Sequence, residues 1–191
     1  MKKFPFLRIL ISVIIYLVLI VLCSTCGLIH PACYAYVGTI FPLFLSFVYL
    51  WVASRMQYFG AAAILNVLVL GIGLIAGEGN QAFIIGMLVL AGASELLRLF
   101  CGYKTLSGIK WSFIPLAYSF YAYVFHWWTE PDDSLAEALE MFGQDYVDKM
   151  SSVISNTPVL VLMLLLVIPV AIYSMKLAQK VLKKQISEME D

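Results

Sequence analysis

The chain has 191 residues, 62% of them hydrophobic and 13% charged, with 12 basic and 12 acidic side chains that balance to zero. That composition excludes an ordinary soluble domain and a disordered chain, and leaves room for one helical bundle without a separate soluble domain. No basic patch with interleaved aromatics is present, so nothing in it points to nucleic acid.

The apolar sequence divides into six stretches of about 20 residues, the length that crosses a bilayer core as helix: 6–28, 33–54, 59–77, 81–101, 109–129 and 157–177. The first follows Lys2 and Lys3. It is longer than a signal-peptide core and lacks a small-residue cleavage site, so it reads as an uncleaved first helix. It is no lipoprotein leader either, with Leu22 and Thr25 where small residues are usual. Its end carries Cys23 and Cys26 in C-x-x-C spacing, with Cys33 just beyond. These thiols fit buried small apolar residues, or a disulfide in an oxidising compartment. A metal site is weaker, because no second C-x-x-C or paired histidine accompanies them.

Turn chemistry separates the stretches at His30-Pro31, Gly60, Gly77 to Asn80, Gly102 and Gly108, and Glu130-Pro131. Pro42, Pro115 and Pro169 fall inside spans two, five and six, where they kink the helix and free carbonyls. On span three, Gly71, Gly73 and Gly77 mark close helix contact, with Gly86, Gly92 and Ala93 doing the same on span four. They fit packing within the chain, or docking to another membrane subunit. Glu95 is the one carboxylate inside a span, and Arg98 lies three residues on, so the two are read as a local pair on one helical face. The functional alternative is contact with a cytoplasmic partner.

Residues 132–156 form an amphipathic helix, or two short ones, outside the membrane. Asp133 or Ser134 serves as its cap, with Glu137 completing a capping box. Leu135, Leu139, Phe142, Tyr146, Met150 and Val153 make its apolar stripe, and Gly143 bends or breaks it. Its acidic polar face argues for a cap over the bundle rather than a helix lying on lipid headgroups.

Charge orients the whole. Lys2, Lys3, Arg8, Arg55, Arg98, Lys104, Lys110, Lys176, Lys180, Lys183 and Lys184 all fall on one side of a six-span arrangement. The other side holds Lys149 and eight carboxylates. The positive-inside rule then puts both termini in the cytoplasm, with 178–191 a cytoplasmic tail and 132–156 extracellular.

The outer end carries most of the unusual side chains. Ser119, Tyr123, His126, Trp127 and Glu130 share one face of span five. The first outer loop adds His30, Tyr34 and Tyr36, and the next adds Glu78, Asn80 and Gln81. Trp127 and Trp128 also fit an interfacial aromatic belt. Aromatic walls with a few polar groups are what a small-molecule pocket needs. Zinc-helix, nucleophile-elbow and phosphate-loop signatures are all absent from the sequence, so the chain has no ATP site of its own and is not read as an enzyme. An outer-face enzyme using His126 and Glu130, and a structural subunit without ligand, are the rival readings.

Three segments carry a resemblance: His30-Pro31-Ala32-Cys33-Tyr34-Ala35-Tyr36-Val37-Gly38, Ser94 to Arg98 running to Gly102-Tyr103-Lys104, and Met141 to Met150. With the six spans, they resemble the S-components of energy-coupling factor (ECF) transporters, more narrowly the Trep_Strep (MptD-like) branch. The resemblance covers nearly the whole chain. It implies a substrate-binding subunit in the plasma membrane of a prokaryote, capturing a vitamin-like, flat or aromatic micronutrient outside. Its implied partners are a transmembrane coupling (T) subunit and two ABC ATPases that hydrolyse the ATP. Haem or another metal complex is a subcase, with His30, His126 and the outer tyrosines as axial ligands. Helix one lacks the Ala-x-x-x-Ala docking patch of many S-components. Docking is therefore assigned to Gly60, Ala61, Gly73, Gly77, Glu95 and Arg98.

Overall fold

The computed structural model describes residues 6–77, 79–183, 186 and 187, so Lys2, Lys3, Glu78 and Lys184 lie outside the described residues. All regular structure among them is helical. Helix α1 spans Phe6–Ser24 and buries Ile9, Val13, Tyr16, Ile20 and Cys23, one stripe at three- and four-residue steps. Its opposite face, including Leu10, Ile14, Val18 and Val21, is exposed. So large an exposed apolar face suits a lipid environment and not water. Helix α2 (Pro31–Tyr36) and helix α3 (Pro42–Ala53) follow, then α4 (Ala61–Ile75) and α5 (Gln81–Cys101).

Three described helices are long and apolar enough to cross a membrane: Phe6–Leu28, Gln81–Cys101 and Thr157–Val181. The pair Pro31–Thr39 and Pro42–Ala53, bent by 40°, counts as a fourth if taken as one span. At 15 residues α4 is shorter than a full crossing. The continuous helix read over 109–129 is broken instead into α6 (Leu106–Leu116), α7 (Ser119–Val124) and α8 (His126–Thr129). Pro115 near the end of α6 cannot donate to a preceding carbonyl. The chain then turns at Ala117–Tyr118, and the Ser119 hydroxyl donates to the Leu116 carbonyl at 2.7 Å.

Helix α9 (Pro131–Phe142), α10 (Gln144–Ile154) and α11 (Thr157–Val181) complete the chain. The first two are separate helices because Gly143 sits between them at φ 80°, a left-handed conformation that glycine adopts without a Cβ clash. The capping box is not formed. Helix α9 begins at Pro131, ahead of Asp133 and Ser134, and Pro at the first turn needs no amide partner.

Helix α5 is central, packing on α4, α6 and α7, while α3 packs on α11 and α1. Polar ties cross this core. The Tyr16 hydroxyl donates to Asn66 Oδ1 at 3.2 Å, and Asn66 donates on to the Met87 carbonyl at 3.3 Å. Tyr49 and Ser112 hydroxyls meet at 2.6 Å, and those of Thr39 and Tyr121 at 2.7 Å. Gly86 permits the α5–α7 approach, since a Cβ there would lie 2.7 Å from that of Ala122. Gly71, Gly77 and Gly92 do not act this way: a Cβ at any of them meets nothing within 4 Å. All four cysteines are free thiols.

Glu95 and Arg98 are buried and serve helix ends instead of pairing with one another. Glu95 Oε1 accepts from the Ala62 and Ala63 amides at 2.9 and 3.2 Å, the first turn of α4. Arg98 Nη2 donates to the Ala53 and Met56 carbonyls at 2.7 and 2.5 Å, where α3 ends. Their exposures are 3% and 0%, and Gly60 and Ala61 are buried too. These four therefore cannot present themselves to a docking partner. Of the docking set, Gly77 is exposed and Gly73 half-buried.

Candidate functional site

Where α1 ends, a four-residue 3₁₀ turn (Thr25–Leu28) leads the chain back toward α2. His30 starts α2 by accepting the Ala32 amide on its Nδ1 at 3.1 Å. This arrangement puts Gly27 and Tyr34 side by side, with a Cβ at Gly27 only 3.4 Å from the Tyr34 Cβ. Tyr34 stands edge-on to Phe120 and to Trp127, each at 6.3 Å between ring centroids. Tyr123 packs edge-on to Phe83 at 5.5 Å. Tyr34, Tyr123 and Trp127 form the wall and floor of a cleft.

Helices α9 and α10 form its roof. Ser134, Glu137, Ala138, Met141 and Phe142 line the cleft from α9, and Tyr146 lines it from α10. Phe142 and Tyr146 stack at 4.6 Å across the Gly143 break. Burial pushes the Tyr146 phenol up from its ordinary pKa, so it remains a neutral donor at neutral pH. The roof is tied to the floor by His126 Nδ1 and Ser134 Oγ, 2.8 Å apart. The enclosed volume is about 310 Å³, within the range of small-molecule sites.

The cleft holds usable polar groups. Trp127 is buried, and its indole N–H is closed to solvent with no acceptor among the described residues. A buried donor left unpaired carries a desolvation cost that an acceptor would remove. His126 spends Nδ1 on Ser134 and keeps Nε2 for another partner. Glu137 is exposed at the lining, and no hydrogen bond holds its carboxylate among the described residues.

Tyr34, Tyr123, His126 and Trp127 are thus brought together as the sequence suggested. The other candidates stand elsewhere. His30 is a helix cap. Asn80 caps α5 by accepting the Phe83 amide at 2.8 Å. Gln81 is exposed at the start of α5. Ser119 is buried on the Leu116 carbonyl. Tyr36 donates to the Val153 carbonyl at 3.1 Å, holding α2 against the end of α10. With His30 outside the lining, His126, Tyr34 and Tyr123 are the members of the suggested haem-ligand set that stand at the cleft. No group of three or more His, Cys, Asp or Glu among the described residues is placed to hold a metal.

The model of one family, hypothetical bacterial integral membrane proteins called Trep_Strep, matches residues 5–187. The chain belongs to the Trep_Strep family. Neither a curated protein nor a solved structure matches it.

Within this Trep_Strep chain, sequence reasoning missed the roof's contribution. On α9, Ser134, Ala138 and Met141 line the cleft beside Phe142, with Ser134 and Ala138 buried, while Leu139 of the expected stripe is 44% exposed and stands outside the lining. Small residues give little hydrophobic signal, although their i, i+4, i+7 spacing was readable.

Proposed function

We propose that this chain is the substrate-binding S-component of an ECF-type importer in a bacterial plasma membrane. The bundle crosses the membrane six times with both termini in the cytoplasm, counting α4 and the broken α6–α8 segment as crossings. The cleft faces outside under α9 and α10. The carrying observation is the cleft itself: three aromatic side chains and a histidine under a two-helix roof, with the Glu137 carboxylate at its lining.

Charge placement supports the orientation. Arg8 donates to the Trp51 carbonyl at 3.4 Å and stacks over its ring, and Arg98 reaches Ala53 and Met56. These cations gather where α1 begins and α3 ends, away from the cleft at the far end of α1. A coupling subunit and two ATPases would supply the work, because this chain has no nucleotide-binding signature. We read no catalysis into the 2.8 Å His126–Ser134 contact. Ser134 is 5% exposed, and its hydroxyl also lies 3.4 Å from the His126 carbonyl, which suits a strut between α8 and α9.

The test is the protein purified in mild detergent. A visible spectrum is taken, the protein is denatured, and released small molecules are identified by mass spectrometry. A stoichiometric compound is expected, and a Soret band would name haem. A well-folded protein that releases no compound, and is not captured with ATPases from its own membranes, would overturn the reading in favour of a structural subunit.

A further inference from the structure

The cleft does not end at its aromatic wall. A second cavity of about 540 Å³ runs between α1 and α4, and Ser24, Leu28 and Tyr123 line both. Its other walls are almost wholly apolar, among them Leu17, Val21, Val69, Ile72 and Ala76. Along α1 and the 3₁₀ turn that follows it, the groove runs from Leu17 to Leu28, roughly 18 Å at their helical rises. Val21, Ile72 and Ala76 are exposed, so this groove opens sideways toward the lipid, while the cleft opens beneath α9 and α10.

We propose that cleft and groove form one two-part site for an amphiphile, with a polar head in the cleft and an apolar chain in the groove. This rests on the reading of the cleft as a ligand site and names its substrate class. The two parts divide the chemistry. The head must offer a donor or positive charge to the Glu137 carboxylate and meet the unspent His126 Nε2. The groove supplies contact alone. A chain leaving the bilayer for an apolar groove gains little, since lipid tails are as apolar as Leu. Affinity and selection therefore lie at the head, and the groove sets the path and depth of the tail. The ligand arrives laterally, from the outer leaflet, past Tyr123.

The test compares wild type with Ala76→Trp, which fills the groove from an exposed position, and Glu137→Gln, which removes the charge offered to the head and keeps the side-chain shape. Ile72→Trp, one turn away, repeats the groove block should Ala76→Trp fail to fold. Each protein is purified in the same detergent, checked for an unchanged melting curve, and extracted for mass spectrometry. The expected result is a polar-headed compound with an apolar chain from wild type, reduced about tenfold in both the groove and the head variants. A compound without a chain, held equally by wild type and Ala76→Trp but lost from Glu137→Gln, would overturn the amphiphile and leave the ligand reading standing. Bulk phospholipids alone, in equal proportion from all variants, would overturn both.

Discussion

Glu95 and Arg98 sit one turn apart on α5, oppositely charged and buried, yet each spends its hydrogen bonds on a different helix. Glu95 accepts from the first amides of α4, and Arg98 donates to the last carbonyls around the end of α3. Each charge meets the helix end whose partial charge it complements. One turn of α5 thereby holds the α3–α4 connection, where Gly60 takes φ 120° to start α4. Removing either side chain leaves orphaned backbone groups and a buried uncompensated charge. Glu95→Ala and Arg98→Ala are each expected to cost about 3 kcal/mol. Arg98→Lys should recover only part, because one ammonium does not reproduce the guanidinium fork. Thermal unfolding in detergent measures all three. Melting within the error of wild type would refute the role.

Gly86 and Gly92 lie on the same helix and are expected to respond oppositely. A methyl at Gly86 runs into Ala122 of α7, while at Gly92 it enters open space. Gly86→Ala should destabilise by about 2 kcal/mol through forced separation of α5 and α7. Gly92→Ala should be neutral or slightly stabilising, as alanine is the better helix former. Because α7 carries Tyr123, Gly86→Ala should also loosen the cleft. Parallel melting curves decide it, and equal effects at the two positions would count against the packing argument.

The long helices were legible because their apolar runs continue unbroken from one cap to the next. The fourth span was read as 81–101, and α5 is Gln81–Cys101. The fifth was not legible, because whether Pro115 ends the helix or only kinks it is settled by the packing around it. In the site, Tyr123, His126 and Trp127 were recoverable from helical spacing alone, although α7 and α8 are interrupted at Phe125. His30 and Asn80 show the ambiguity of a polar residue ahead of a helix. The same side chain suits a pocket or a cap, and here both are spent on amides. Glu95 and Arg98 were read as local partners from their spacing, but the helix ends that claim them are about 30 to 45 residues away in sequence.

Cleft residues divide into those that shape it and those that bond. Tyr123→Ala removes a wall shared by cleft and groove, and His126→Ala removes Nε2 and orphans Ser134. Each is expected to lower the amount of compound retained through purification about tenfold or more. Both proteins should remain folded, since Tyr123 and His126 are only half-buried. His30→Ala, outside the lining, should retain the compound at the wild-type level. Retention by Tyr123→Ala and His126→Ala at that same level would show that the ligand sits elsewhere.

The roof is held down at few points, which makes its opening measurable. At its start, Ser134 Oγ meets His126 Nδ1 at 2.8 Å, and at its end Tyr36 donates to the Val153 carbonyl at 3.1 Å. Between these ties, Gly143 lets α9 and α10 move as separate helices. Ser134→Ala removes the first tie for about 1 kcal/mol, which raises the open population about fivefold when opening is faster than cleavage. Lys149 in α10 is the one basic residue of 131–156 and gives trypsin a single reporter site there. Cleavage after Lys149 should quicken about fivefold in Ser134→Ala, and similarly in Tyr36→Phe, with global melting little changed. Bound compound should slow cleavage in wild type more than in either variant, because a ligand under the roof favours the closed form it contacts. Cleavage unaffected by both substitutions and by ligand would mean that the roof does not move as a gate.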